Sequence, residues 1–263
     1  MENYVDLLKE DWIQYFEEEM NLGKVKIDAS GRFYGVQILS KNNPWVFNKC
    51  LSVDKPMNIC NQAHDYFNRQ MNFIHSYCHR CYKVVVMPTT VKQLFQLCDL
   101  QKEIDIPAKC GIEVRNYVPR LYGGYFYNRG VENGRDCYKR IKKLVHEQIS
   151  PDITVILKRG CTEFEMKYGP SDQWKLVDGQ EAREKRFAEL YHEEISPKVP
   201  NPEYLIAYKK RTWLHWASDH FDETVLEFTG GQWLQQGVYY REFMKPYLFP
   251  QNKYVMYQED GDD

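Results

Sequence analysis

Residues 82–157 alternate short β-branched runs with helical patterns, and this ordering restricts the fold more than any other feature of the chain. Residues 82–87 (Tyr-Lys-Val-Val-Val-Met) form an apolar run bounded by Pro88, the signature of a strand. Thr89 or Thr90 then caps a helix through Lys102, in which Val91, Leu94, Phe95 and Cys98 recur at three- to four-residue spacing. Pro107 precedes a second strand over 109–115, and Pro119 introduces a third over 122–127. A second helix covers about 132–148, turning Cys137, Ile141, Leu144 and Val145 inward and Arg135, Lys139, Arg140, Lys142 and Lys143 outward. Pro151 leads into a fourth strand over 153–157.

The order β-α-β-β-α-β is the split βαβ arrangement of ferredoxin-like folds. The expected class is therefore α+β: a ferredoxin-like core over 78–167, preceded by an N-terminal segment, 1–77, and followed by an aromatic-rich extension, 168–258. The N-terminal segment reads as a helix over 2–20 and a hairpin over 24–39 that turns at Ala29-Ser30-Gly31, with loops at Asn42-Asn43-Pro44 and Asp54-Lys55-Pro56. Residues 58–74 suit a helix. In the extension a charged helix is expected over 178–195, and Pro197, Pro200 and Pro202 break regular structure after it. Trp213, Trp216, Phe228, Trp233 and their neighbours are too apolar to stay solvated and are expected to fold back onto the middle. Residues 259–263 are an acidic end expected to be disordered.

At 263 residues, 43% hydrophobic and 27% charged, the chain has the profile of a globular protein with ample material for a core. It has no apolar run of the roughly 20 residues that a membrane helix needs. The acidic amphipathic start does not read as a secretory signal, and eight cysteines without one suggest a reducing compartment. The expected location is cytoplasmic, with no membrane partner. A net charge of −2 hides an asymmetry: residues 78–167 hold 16 Lys and Arg against 10 Asp and Glu, so a basic middle sits between acidic flanks.

Potential metal donors concentrate just before the first core strand. Cys60-x3-His64 is followed by His75-x2-Cys78-x2-Cys81, and thiolates and imidazoles at such spacing suit a structural zinc site or an iron–sulfur cluster. The split βαβ order also brings the ends bearing Cys81, Cys110 and Cys161 to one edge of the sheet. A site closed across the sheet by Cys78, Cys81, Cys110 and Cys161 must bridge three strand spacings of about 4.8 Å each. A local set of Cys60, His64, Cys78 and Cys81, with His75 able to replace one of the first pair, closes within one loop. Zinc is the preferred metal, and buried thiols with no metal are the plain alternative.

The segment Arg120-Leu-Tyr-Gly-Gly-Tyr-Phe-Tyr127 on the third strand partly resembles the RNA-recognition signature K/R-G-F/Y-G/A-F-V-x-F/Y, whose aromatics stack bases on a sheet. Arg120, Tyr122, Gly123 and Tyr127 match it, whereas Leu121 and Gly124 depart from it. That resemblance implies a nucleic-acid surface of Arg120, Tyr122, Tyr125 and Tyr127, to which the basic helix face of Lys139, Arg140, Lys142 and Lys143 would add phosphate contacts. Tyrosines filling a core explain the segment equally. Beyond the fourth strand, Glu163 and Glu165 alternate with Thr162 and Phe164, which in an extended segment puts both carboxylates on one face as acid–base candidates beside Cys161.

The leading expectation is a zinc-stabilised, non-catalytic nucleic-acid-binding protein. The rivals are a metal- or iron–sulfur-dependent enzyme working at the cysteine-bearing edge and a scaffold that binds a protein partner.

Overall fold

The computed structural model describes residues 14–23, 25–35, 43–48, 67–68, 72–190 and 201–234. The chain is α+β and divides into two compact units, 1–213 and 214–263. Residues 14–21 are helical, and β1 (Val25–Ile27) and β2 (Phe33–Gly35) pair antiparallel in a hairpin. The Asp28 carboxylate accepts from the backbone N–H groups of Ser30 and Arg32 and fixes its turn.

Among the described residues the main sheet has five antiparallel strands: β3 (Trp45–Phe47), β4 (Cys81–Met87), β5 (Ala108–Ile112), β6 (Tyr122–Arg129) and β7 (Thr154–Arg159), in the order β3-β5-β6-β4-β7. The short helix α1 (Ser76–His79) leads into β4. Helix α2 (Val91–Glu103) joins β4 to β5, and α3 (Val131–Gln148) joins β6 to β7. Then come α4 (Thr162–Tyr168), α5 (Gln180–Leu190) and α6 (Glu203–Asp219). Among the described residues no helix is long and apolar enough to cross a membrane.

Helix α2 starts where its caps dictate. Thr90 Oγ1 accepts from the Gln93 N–H at 3.2 Å, and Gln93 Oε1 accepts from the Thr89 N–H at 2.8 Å, a reciprocal pair that satisfies two otherwise orphaned donors. Its buried side, Val91, Leu94, Leu97 and Cys98, meets one face of the sheet. Gly124 on that face is where Leu97 seats, since a Cβ there would lie 2.4 Å from Leu97 Cδ2. Helix α3 lies on the same face through Cys137, Ile141 and Val145. Val84, Val86, Cys110, Tyr122 and Phe126 complete this core, each essentially excluded from solvent.

Three sequence expectations change. The second strand stops at Ile112 instead of Arg115, because Glu113 and Arg115 pair with each other at 2.5 Å and turn the chain off the sheet. Residues 162–168 form α4 and not an extended edge. Glu163 and Glu165 are then about 200° apart around the helix and do not share a face. The loop expected near Asn42–Pro44 gives way at once to β3, a strand pairing with β5 that the sequence reading did not include.

Strand β3 is held from both sides. A Cβ at Gly111 would stand 2.4 Å from the Pro44 carbonyl oxygen, so only glycine lets β5 approach this closely. From α6, the Lys209 ammonium donates to the Trp45 carbonyl at 2.5 Å and the Trp213 indole to the Pro44 carbonyl at 2.8 Å. Burial pushes Lys209 down to about 8. In the second unit, Asp222 caps a 3-10 turn over Glu223–Glu227, and Ser218 donates to the Leu234 carbonyl.

Two outcomes are expected. Gly111→Ala destabilises the protein by about 1–3 kcal/mol in denaturant unfolding, because backbone has to give way. For Lys209, both folded and unfolded chains are protonated below pH 8, and the burial penalty acts in full. Between about 8 and its ordinary 10.5 only the unfolded chain keeps the proton, so stability rises with pH through that window. Unfolding curves of Lys209→Met lack that rise; an unchanged rise would place its source elsewhere.

Candidate nucleic-acid interface

Side-chain alternation divides the sheet into two chemically different faces. Opposite the helices, β3 presents Trp45 and Phe47, β5 presents Lys109, β6 presents Tyr125 and Tyr127, β4 presents Lys83 and Val85, and β7 presents Ile156 and Lys158. These residues floor a cleft of about 470 Å³. Five cations and one carboxylate, Glu163, are among its lining residues.

Rings and cations interleave across the floor. Trp45 and Tyr125 pack at 5.5 Å between centroids, and Tyr125 and Tyr127 at 6.4 Å. The Lys109 ammonium lies 4.7 Å from the Trp45 ring centroid and 5.5 Å from that of Tyr125, within cation–π range. The Lys83 ammonium is 5.6 Å from the Tyr127 ring and 2.8 Å from Cys161 Sγ. Burial alone lowers the pKa of Lys83, but Cys161, Cys81 and Tyr127 outweigh it and hold the ammonium well above its ordinary range.

The segment 113–121 crosses over this floor. Strands β4 and β5 run the same way and β7 runs opposite, so the end of β5 and the end of β7 lie at opposite edges. Arg115, just past β5, nevertheless reaches Glu163, just past β7, at 2.7 Å, and the Tyr117 hydroxyl donates to the same oxygen at 2.9 Å. Beneath this clasp the Tyr125 hydroxyl accepts from Arg115 at 3.0 Å and Arg120 at 2.7 Å, and donates to Glu113 at 3.3 Å. Burial pushes the Glu163 carboxyl up, but its own backbone N–H, Arg115 and Tyr117 prevail and hold it at about 2. Hydrogen bonding to Glu113 raises Arg115 further above its already high range. Lys158, bonded to Glu165, is lowered by burial and by the charges of Lys83 and Arg120.

No protein-family model, curated protein or solved structure matches this chain.

The nucleic-acid candidates separate. Arg120 and Tyr127 enter the cleft, Tyr125 lines it while only 7% exposed beneath Arg115 and Arg120, and Tyr122 is fully buried on the helix-covered face and takes no part. Tyr122 lies three residues before Tyr125, an odd offset that reverses its direction. Lys139, Arg140, Lys142 and Lys143 are exposed on α3, which covers the opposite face, so they do not join the cleft either. Gly124, one of the two departures from the signature, faces α2 and costs the cleft nothing.

The metal candidates also separate. Cys110 shares the helix-covered face with Cys98, and the Asn48 amide nitrogen lies 3.7 Å from each sulfur. Burial pushes the Cys110 thiol well up. Cys161 meets Lys83 on the other face, so the sheet itself stands between Cys110 and Cys161. Cys78 is buried with Ile74, Phe164 and Trp174, and Cys81 pairs with Arg129 at the start of β4. His75 serves as the cap of α1: its Nδ1 accepts from the Tyr77 N–H, and its Nε2 lies 3.7 Å from Glu184. Among the described residues no group of three His, Cys, Asp or Glu side chains converges to hold a metal, and Cys60 and His64 lie outside them.

Trp45, Phe47, Lys83, Lys109, Arg115, Tyr117 and Lys158 are cleft residues the sequence reading passed over. Lys83 is interior to an apolar strand, and its parity with Val85 was the available signal. The clasp makes one measurable statement. With a pKa near 2 against an ordinary 4.5, Glu163 contributes its full stability above about pH 4.5, and that contribution falls away progressively as the pH drops from there to and through 2. A carboxyl NMR titration is expected to find it near 2, and a midpoint near 4.5 would dismiss the clasp.

Proposed function

We propose that this chain binds single-stranded nucleic acid in the cleft on the helix-free face of its sheet. The observation that carries the reading is the interleaving of rings and cations on one floor, with Lys109 poised over Trp45 and Tyr125. Stacking rewards exposed base faces and is worth about 1–3 kcal/mol per base, while neighbouring ammonium and guanidinium groups offset the phosphates. Duplexes hide their base faces inside the stack, so the arrangement favours unpaired strands. The finer topology belongs to the same proposal: β4-α2-β5-β6-α3-β7 is ferredoxin-like, a reading supported by the strand order β5-β6-β4-β7. The Arg120–Tyr127 segment then supplies Tyr125 and Tyr127 to a central strand, as the signature it resembles does.

A second reading, a thiol-dependent enzyme, draws on the Cys161–Lys83 contact, which would favour a thiolate within reach of a bound ligand. Cys161→Ser separates the two: a binding protein retains its affinity.

For the binding reading, fluorescence anisotropy with labelled single-stranded RNA and DNA 10-mers is expected to show affinity falling with salt. The log–log slope is about −2 if three phosphates are neutralised. Tyr127→Ala weakens binding by roughly 5- to 150-fold, the equivalent of one lost stack. The double change Lys142→Glu, Lys143→Glu on α3 leaves it nearly unchanged. Salt-insensitive binding, or a large loss from the α3 changes, would overturn the proposal.

A further inference from the structure

The cleft is not the same along its width. On its β3 side it offers rings; on its β7 side it offers charge and a wall. Lys83 and Lys158 are direct cross-strand partners on the cleft floor, and like charges so placed repel. Cys161 lies against one of them and Glu165 against the other, and Lys158 stays below its ordinary range through burial first and the charge of Lys83 second. Residues 160–163 wall the cleft beside this pair. Above the wall, Glu163 is tied to Arg115 and Tyr117, which joins it to the segment crossing the sheet. A strand entering from the Trp45 side therefore meets a closed end lined with two ammonium groups.

Resting on the nucleic-acid reading above, we infer that the Lys83–Lys158 end of the cleft receives the terminal phosphate of a single strand. A phosphomonoester carries −1.5 to −2 charges at neutral pH and three acceptor oxygens, which suits two ammonium groups at a closed end better than an internal diester does. The end-most base then lies over Tyr127, beside Lys83. An internal diester cannot occupy the same position, because the strand on its far side would have to pass through the Glu163–Arg115 clasp.

The test uses the full chain and three labelled, otherwise identical single-stranded 10-mers, with a 5′-phosphate, a 3′-phosphate or hydroxyls at both ends. One phosphorylated form is expected to bind roughly tenfold or more tightly than the hydroxyl form, and which one it is assigns the polarity of the strand. Equal affinity for all three overturns the terminal-phosphate inference and leaves single-strand binding standing. No binding of any overturns both. Lys158→Ala, on the edge strand β7, is expected to bring the affinities for the three oligomers to within about twofold of one another, whatever loss they share. A preference that survives in a folded Lys158→Ala, as judged by its circular dichroism, overturns the placement of the phosphate at this pair.

Discussion

The pleat of the antiparallel sheet is the constraint on which the rest of this molecule depends. A single residue of register decides whether a side chain joins the core beneath α2 and α3 or the charged floor opposite. In β4, Val84 and Val86 are sealed under the helices while Lys83 looks the other way. In β5 the same alternation sends Cys110 into the core and Lys109 onto the floor. In β6 it sends Tyr122 and Phe126 into the core and turns Tyr125 and Tyr127 to the cleft side, where Tyr125 is itself covered by the clasp. Pairing locks these choices together, because Lys83 stands opposite both Tyr127 and Lys158. The cleft thus follows from register, and no single strand creates it.

Closure of the cleft rests on a small polar network. Exposed ion pairs contribute little to stability, about 0–1 kcal/mol. The Arg115 clasp differs because its guanidinium is forked between Glu113 and Glu163 and also donates to Tyr125. Glu113 is nearly inaccessible, so losing Arg115 would strand a buried carboxylate, the more costly kind of loss. The network therefore fixes the path of the 113–121 segment over the sheet and sets the cleft's shape as well as its charge.

Much of the scaffold was legible in sequence because its signals are local. The Thr90 cap and the Val91, Leu94, Cys98 spacing announce α2, and the β-branched run after Cys81 announces β4. The path after Ile112 was not legible. Glu113 and Arg115 look like the continuation of an alternating strand until their mutual ion pair, and Glu163 from 48 residues away, draw the chain off the sheet. Likewise, Glu163 and Glu165 alternate convincingly with Thr162 and Phe164. Phe164 is instead buried against Ile74, Cys78 and Trp174, and that packing holds the segment as a helix. Trp45–Phe47 is too short to identify as a strand from periodicity, and its status depends on β5 and Lys209.

By itself the sequence determined the order β4, α2, β5, β6, α3, β7, the start of α2, the hairpin turning at 29–31 and the presence of rings on β6. These follow from propensities, caps and spacing within a few residues of one another. Only the tertiary structure decided that Cys110 and Cys161 stand on opposite sides of the sheet and that the α3 lysines face away from the aromatic floor. It also decided that Lys83, Lys109 and Lys158, from three different strands, meet in one cleft. The physical reason is that facing depends on which residues pair across strands and which loops cross over, and both are fixed by contacts between residues distant in the chain.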